Sequence, residues 1–234
     1  MSRIGILLTQ PANPERDSIF GNFADMFKTF LLSADSSLDF RVYNLLAGDW
    51  PVNFDECDGW LITGSFHGAY DDIPWIHKLK DLIVELHKAQ EKIVGICFGH
   101  QIIAEALGGK VIKSEKGWGV GVHSFTVAEK FSWMNPPLQQ VSLLYSHQDQ
   151  VVALPPNAVL IGGDDFCPNR MFAVDNNILV MQGHPEFSVE FEHYLLKGRR
   201  EILTPELYSV AESSLKKPID NETIAKWVVN FILQ

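Results

Sequence analysis

The sequence predicts an α/β fold built on a doubly wound, mainly parallel sheet, and three features point to it. Across the first 110 residues, short apolar runs rich in β-branched residues alternate with longer stretches whose apolar residues recur at helical spacing. The second half is richer in strand candidates, which predicts antiparallel strands added at the sheet edge. Polar, glycine-containing segments follow the third and fourth strand candidates, so Gly64 and Cys97 fall on the carboxyl rim where such sheets gather their reactive groups.

Residues 4–9 read as a first buried strand, closed by Gln10-Pro11 and a polar loop through Arg16. Phe20, Phe23, Met26, Phe27, Phe30 and Leu31 then form a helical stripe of the kind that packs a core. Strands are expected over 39–45 and 58–63, separated by a loop containing Trp50-Pro51. An amphipathic helix follows over 73–90, with apolar Ile76, Leu79, Leu82, Ile83 and Leu86 and a proline near its start. Residues 93–96 read as a buried strand, and 101–109 as a helix stopped by the Gly108-Gly109 pair. Residues 110–113 and 117–127 are expected to pair as a hairpin, with 131–137 an irregular connection. Strands are expected at 141–147, 158–162, 171–174 and 178–182, and helices at 190–197, 205–215 and 221–233. No repeat, low-complexity stretch or linker divides the chain, so residues 1–234 are expected to form a single domain.

Composition narrows the function classes. With 46% apolar and 21% charged residues the chain reads as an ordinary globular protein. A formal charge of −10 argues against a nucleic-acid or anionic-membrane surface. The three cysteines, Cys57, Cys97 and Cys167, are widely spaced with no Cys-x-x-Cys pair, which fits a reducing compartment better than a disulfide framework or zinc knuckle. With no apolar run of signal-peptide or membrane-spanning length, a cytoplasmic location is expected. His67, His77, His87, His100, His123 and His193 show no metal-ligand spacing. There is no P-loop, dinucleotide fingerprint or metal motif, so neither cofactor nor metal is expected.

The chemistry centres on Gly95-Ile-Cys97-Phe-Gly99-His-Gln101. Cys97 sits on a tight strand-to-helix turn, where a Cβ at either flanking glycine would clash. The helix that follows directs free N–H groups and its positive dipole end at the sulfur. By itself Gly-x-Cys-x-Gly is a weak pattern, since a cysteine at a strand end is often an inert buried thiol. A second segment strengthens it: Gln182-Gly183-His184-Pro185-Glu186. A thiol nucleophile needs a proton acceptor, and the imidazole in turn needs a group to set its tautomer and orientation. Glu186 stands two residues beyond His184, with Pro185 keeping the pair out of a regular helix.

These two motifs, with Thr63-Gly64-Ser65 upstream, resemble the class I glutamine amidotransferases over roughly residues 4–187. The resemblance implies a flavodoxin-like sheet and a Cys97–His184–Glu186 triad. Cys97 would attack the side-chain carbonyl of a γ-glutamyl group to give a thioester that water then hydrolyses. It also implies an oxyanion hole in which the Phe98 backbone N–H is one donor. Many family members have two glycines followed by proline in the other donor loop, where this chain has Gly64-Ser65-Phe66-His67; an N–H of Gly64 or Ser65 is expected there. Gln101 is similar to the family glutamine that holds the substrate's amino-acid end. Tyr145-Ser146-His147-Gln148-Asp149 resembles the segment lining the same pocket, with Ser146 and His147 as binding residues. His147 lacks the Pro-Glu continuation that marks the catalytic histidine.

Within the family, the loop 63–68, the segment 71–76 and Gln182-Gly183 look like the γ-glutamyl peptidase branch. A stand-alone hydrolase of a small γ-glutamyl substrate is therefore expected. A glutaminase passing ammonia to a separate synthetase subunit, and a non-catalytic amidotransferase-like binding domain, are the alternatives. Dienelactone hydrolases also use such elbows, but they place an aspartate between nucleophile and histidine, which fits this chain poorly.

Overall fold

The computed structural model describes residues 2–234. A seven-stranded sheet runs through the molecule in the order β2-β1-β3-β4-β11-β10-β9. Its strands are β1 (Arg3–Leu8), β2 (Asp39–Asn44), β3 (Gly59–Ile62), β4 (Ile93–Ile96), β9 (Ala158–Gly162), β10 (Met171–Val174) and β11 (Ile178–Met181). From β2 through β11 every neighbouring pair is parallel, while β10 and β9 add on antiparallel at one edge. The α/β class, the parallel centre and the antiparallel edge strands are as the sequence predicts.

Alternate residues of the central strands enter two cores, which is why the strands read as unbroken apolar runs. Ile4, Ile6, Leu61, Val94 and Ile96 face one side. There they meet α2 (Phe23–Leu32), α5 (Val189–Gly198), α6 (Pro205–Ser214), α7 (Asn221–Leu233) and the antiparallel pair β6 (Gly119–Thr126) and β7 (Gln140–His147). Leu7, Trp60, Ile62 and Ile93 face the other side, against α3 (Pro74–Lys88), α4 (Phe98–Ala106) and the pair β5 (Lys110–Lys113) and β8 (Asp149–Ala153). The five apolar positions read on α3 are all buried, each contributing about 1.5–3 kcal/mol of side-chain burial.

Two expectations are corrected. Residues 14–16, read as the end of a polar loop, belong to a short helix α1 (Pro14–Phe20), begun by Pro14 and by Asn13, whose side chain accepts from the Arg16 N–H. Residues 110–113 and 117–127 do not pair with each other: β5 pairs with β8 and β6 with β7. The sequence reading passed over β8, so the partner of β5 was missing from it. Helix α4 (Phe98–Ala106) starts directly behind Cys97, as expected of the turn.

Winding places four strand ends on one rim. The chain leaves β1 for β2 on one side and then crosses to β3 and β4 on the other, and β11 returns parallel to β4. Gln10, Gly64, Cys97 and Gln182 thus follow the carboxyl ends of β1, β3, β4 and β11, at the switch point where such sheets open a crevice. Helix α4 lies unusually close to the sheet here. A Cβ on Gly95 would come within 2.5 Å of the Gly99 carbonyl, and one on Gly99 would strike the Ile62 carbonyl. Both obstacles are backbone, which cannot rotate away. Gly99→Ala is therefore expected to destabilise the protein by about 1–3 kcal/mol, read as a lower denaturant midpoint, while alanine at the open Gly198 leaves the midpoint nearly unmoved.

Candidate active site

Cys97 has φ 54° and ψ −99°, a conformation rare for a residue with a side chain. The turn is held from both sides: the Cys97 N–H donates to the Met181 carbonyl at 2.9 Å, and its carbonyl accepts from the Gln101 N–H at 3.1 Å, within α4. The thiol, 7% exposed, stands at the first turn of α4 and receives the Gln182 Nε2 at 3.5 Å.

His184 is carried on the segment after β11. Its N–H donates to the Leu144 carbonyl of β7 at 2.8 Å. Its ring lies flat on Phe187, with centroids 3.9 Å apart and planes 8° from parallel. Nδ1 bonds the Glu186 Oε1 at 2.7 Å, which leaves Nε2 for the other side of the ring. A Cβ built on Gly64 would lie 3.3 Å from His184 Cε1 and 3.9 Å from Cys97 Cβ, so imidazole and thiol converge on the same glycine. Burial disfavours the imidazolium, but the charge of Glu186, the Cys97 sulfur and hydrogen bonds to both outweigh it and hold His184 well above the ordinary histidine range.

His147 has the opposite environment. It is buried, its Nδ1 bonds the Asp149 carbonyl at 2.9 Å, and its Nε2 has no partner among the described residues. No carboxylate offsets the burial, which pushes it down to about 3 and leaves the ring neutral. The two histidines that sequence alone could confuse are thereby separated by their neighbours.

Two cavities meet at Cys97, sharing Ser65, Phe66, Ser146 and Arg199 as walls. The larger, about 370 Å³, reaches past Gln101, Lys113, Trp118 and Asp149. The narrower, about 50 Å³, reaches past Gln10, Arg16, Phe23 and Leu195 and touches His184. Gln101 donates Nε2 to the Asp149 carbonyl and to Gln182 Oε1, both at 3.0 Å, which leaves its own oxygen facing the larger cavity it lines. Ser146 Oγ accepts from Arg199 Nη1 at 2.6 Å. Phe98 is the first residue of α4, its ring packed against Trp75. The structure thus brings Cys97, His184, Gly64, Ser65 and Ser146 to the wall of one cavity, with Glu186 behind His184 and Gln101 and His147 on the adjoining wall.

Sequence reasoning gave no role to Gln182, Arg199, Glu192 or Arg16. Glu192 is fully buried with one oxygen on the Gly121 N–H and the other unpartnered, and burial raises it to about 7, against the pull of Arg199. Arg199 follows α5 and reads in sequence as half of an exposed basic pair. Only its bond to Ser146 and its stacking over Trp118, 4.9 Å from the ring centre, turn it inward. No group of three or more His, Cys, Asp or Glu among the described residues is arranged to hold a metal ion. No helix among them is long and apolar enough to cross a membrane.

A doubly wound sheet that gathers thiol, imidazole and carboxylate at its carboxyl rim defines a narrow class of α/β proteins. Residues 32–198 match the family glutamine amidotransferase class-I, and the chain belongs to that family. It is 33% identical to a glutamine amidotransferase-like protein of Schizosaccharomyces pombe over 250 aligned positions, taking in 99% of this chain and 98% of that protein. Gamma-glutamyl peptidase 3 of Arabidopsis thaliana is 32% identical over 181 positions, 73% of this chain and 71% of the relative. Among solved structures, a glutamine amidotransferase from Thermotoga maritima superposes with a TM-score of 0.75 at 18% identity, covering 99% of this chain and 96% of its own, a likeness of fold. The family is one of enzymes, and several relatives bear the name gamma-glutamyl peptidase.

The three cysteines should differ in reactivity. Burial raises Cys57, and pushes Cys167 up to about 11, while Cys97 lines the two cavities described above and neither of the others does. Iodoacetamide at neutral pH is expected to alkylate Cys97 at least tenfold faster than either of the others, as followed by peptide mass mapping over time.

Proposed function

We propose that the protein is a cysteine hydrolase of γ-glutamyl amide bonds that works through a γ-glutamyl thioester on Cys97. The observation that carries this reading is the 2.7 Å His184–Glu186 hydrogen bond on an imidazole that shares its glycine neighbour with Cys97. A buried carboxylate on Nδ1 fixes the tautomer and stabilises the imidazolium, so Nε2 can take the thiol proton and later return it. The thiolate adds to the γ-carbonyl, the C–N bond breaks, and the departing amine takes its proton from His184. Water then attacks the thioester, giving its proton to His184, and glutamate leaves as the sulfur is released.

Charge develops on the carbonyl oxygen in both steps and needs fixed donors. The Phe98 N–H at the start of α4 is one. For the other, the Gly64 carbonyl is held by the Thr9 hydroxyl at 2.9 Å. The C=O and N–H of one peptide point in opposite directions, so this bond turns the Ser65 N–H away from Thr9. We assign Ser65 as the second donor on that ground, in preference to Gly64. The γ-glutamyl head fits the larger cavity, where the Gln101 oxygen and Asp149 can accept from an ammonium, and Arg199, held by Ser146, can meet a carboxylate. His147, neutral and tied to Asp149, shapes that wall.

A substrate panel tests the reading. Purified protein is expected to release glutamate from γ-glutamyl dipeptides or glutathione faster than from glutamine, and Cys97→Ala to release none. A profile confined to glutamine would transfer the chain to the ammonia-donating reading, and full activity in Cys97→Ala would remove the nucleophile. Glu186→Gln is expected to lower kcat by about 10³–10⁴-fold. It should also bring the alkaline limb of the pH–rate profile down, because the amide no longer sustains the imidazolium; kinetics across pH on folded variant check both.

A further inference from the structure

The narrow cavity on the far side of Cys97 has a chemistry that γ-glutamyl hydrolysis does not by itself explain. The larger cavity offers carboxylates, Asp71 and Asp149, together with cations, Lys113 and Arg199, as a zwitterionic head requires. The narrow one has no carboxylate in its lining: its charged side chains are the arginines Arg16 and Arg199 beside the His184 imidazole, set among Phe23, Phe187 and Leu195.

Arg16 is held rigidly. Its side chain is 4% exposed, its guanidinium lies over the Phe23 ring at 4.8 Å, and Nε and Nη2 bond the Asp17 Oδ1 at 2.8 and 2.6 Å. Asp17 fixes the fork but does not line the cavity, and Nη1 has no protein partner among the described residues. A second donor belongs to the same lining: Gln10, 4% exposed, has its Nε2 buried without a partner among the described residues. A buried donor left unpaired, as Gln10 Nε2 is, is costly and calls for a ligand or water. Departing ammonia carries no carboxylate for Arg16 and Gln10 to hold. The amine of an amino acid carries a carboxylate one carbon from the nitrogen, and a planar guanidinium with an amide donor suits it.

We propose that Arg16 and Gln10 form a carboxylate subsite for the departing amine, which makes γ-glutamyl amino acids with an apolar side chain the substrate class. This rests on the reading of Cys97 as the γ-glutamyl nucleophile. Phe23, Phe187 and Leu195 supply the apolar wall. The carboxylate stays bound while the C–N bond breaks and the amine takes its proton from His184.

The test compares γ-glutamyl-leucine with γ-glutamyl-isopentylamide, the same compound without its carboxylate, on the purified full chain. The wild type is expected to favour the first by about ten- to a hundredfold in kcat/KM, as for a hydrogen bond to a charged group. In Arg16→Met, which keeps a stem over Phe23, that ratio should fall towards one, and Gln10→Leu should lower it by less. A ratio within one protein is insensitive to the fraction folded. Equal rates on both compounds in the wild type, or an undiminished ratio in Arg16→Met, would overturn the subsite while leaving the thioester reading intact. Hydrolysis of glutamine with neither compound cleaved would instead overturn the γ-glutamyl peptidase reading and the subsite with it.

Discussion

The close approach of α4 to the sheet is the constraint on which the site depends. Gly99 lies against the Ile62 carbonyl of β3 and Gly95 lies under the Gly99 carbonyl, so a helix and two strands meet at backbone distance. At that separation the link between β4 and α4 has a single residue in which to turn, and Cys97 takes the left-handed conformation that results. Strain at such a turn is tolerated when the surroundings over-determine it. Here the Met181 carbonyl on β11 and the first turn of α4 do so.

The same packing brings the other groups into reach. Because β11 pairs in parallel with β4, Gln182 and His184 emerge on the side where Cys97 does. The bond from the His184 N–H to β7 then bends the segment over the thiol, and Phe187 supports the ring from behind. Burial would ordinarily keep a histidine neutral, as it does His147. For His184 the balance is reversed by Glu186, two residues away, together with the Cys97 sulfur.

Much of this was legible in the chain, and the reasons differ by element. Buried parallel strands show as apolar runs, and α3 shows as a 3.6-residue stripe, because each rests on local periodicity. The elbow and the His-Pro-Glu segment were visible because their chemistry demands particular residue types at short spacing. Helix α1 was obscured by its polar residues, and β8 by its lack of a continuous apolar run. The pairing of β5 with β8 joins residues about 40 positions apart, which no local pattern reports.

Sequence by itself carried the fold class, through periodicity along the chain, and pointed to the family and to Cys97, His184 and Glu186 through the resemblance of two short motifs. Tertiary structure alone decided which of two histidines carries a raised proton affinity and that Arg199 and Arg16 turn inward. It also decided that two cavities of different charge meet at one sulfur. Those outcomes depend on burial and on partners distant in the chain: Arg199 on Ser146, and Gln182 on Cys97. A charged residue looks the same in sequence whether it faces water or a cavity; only the packing around it tells the two apart.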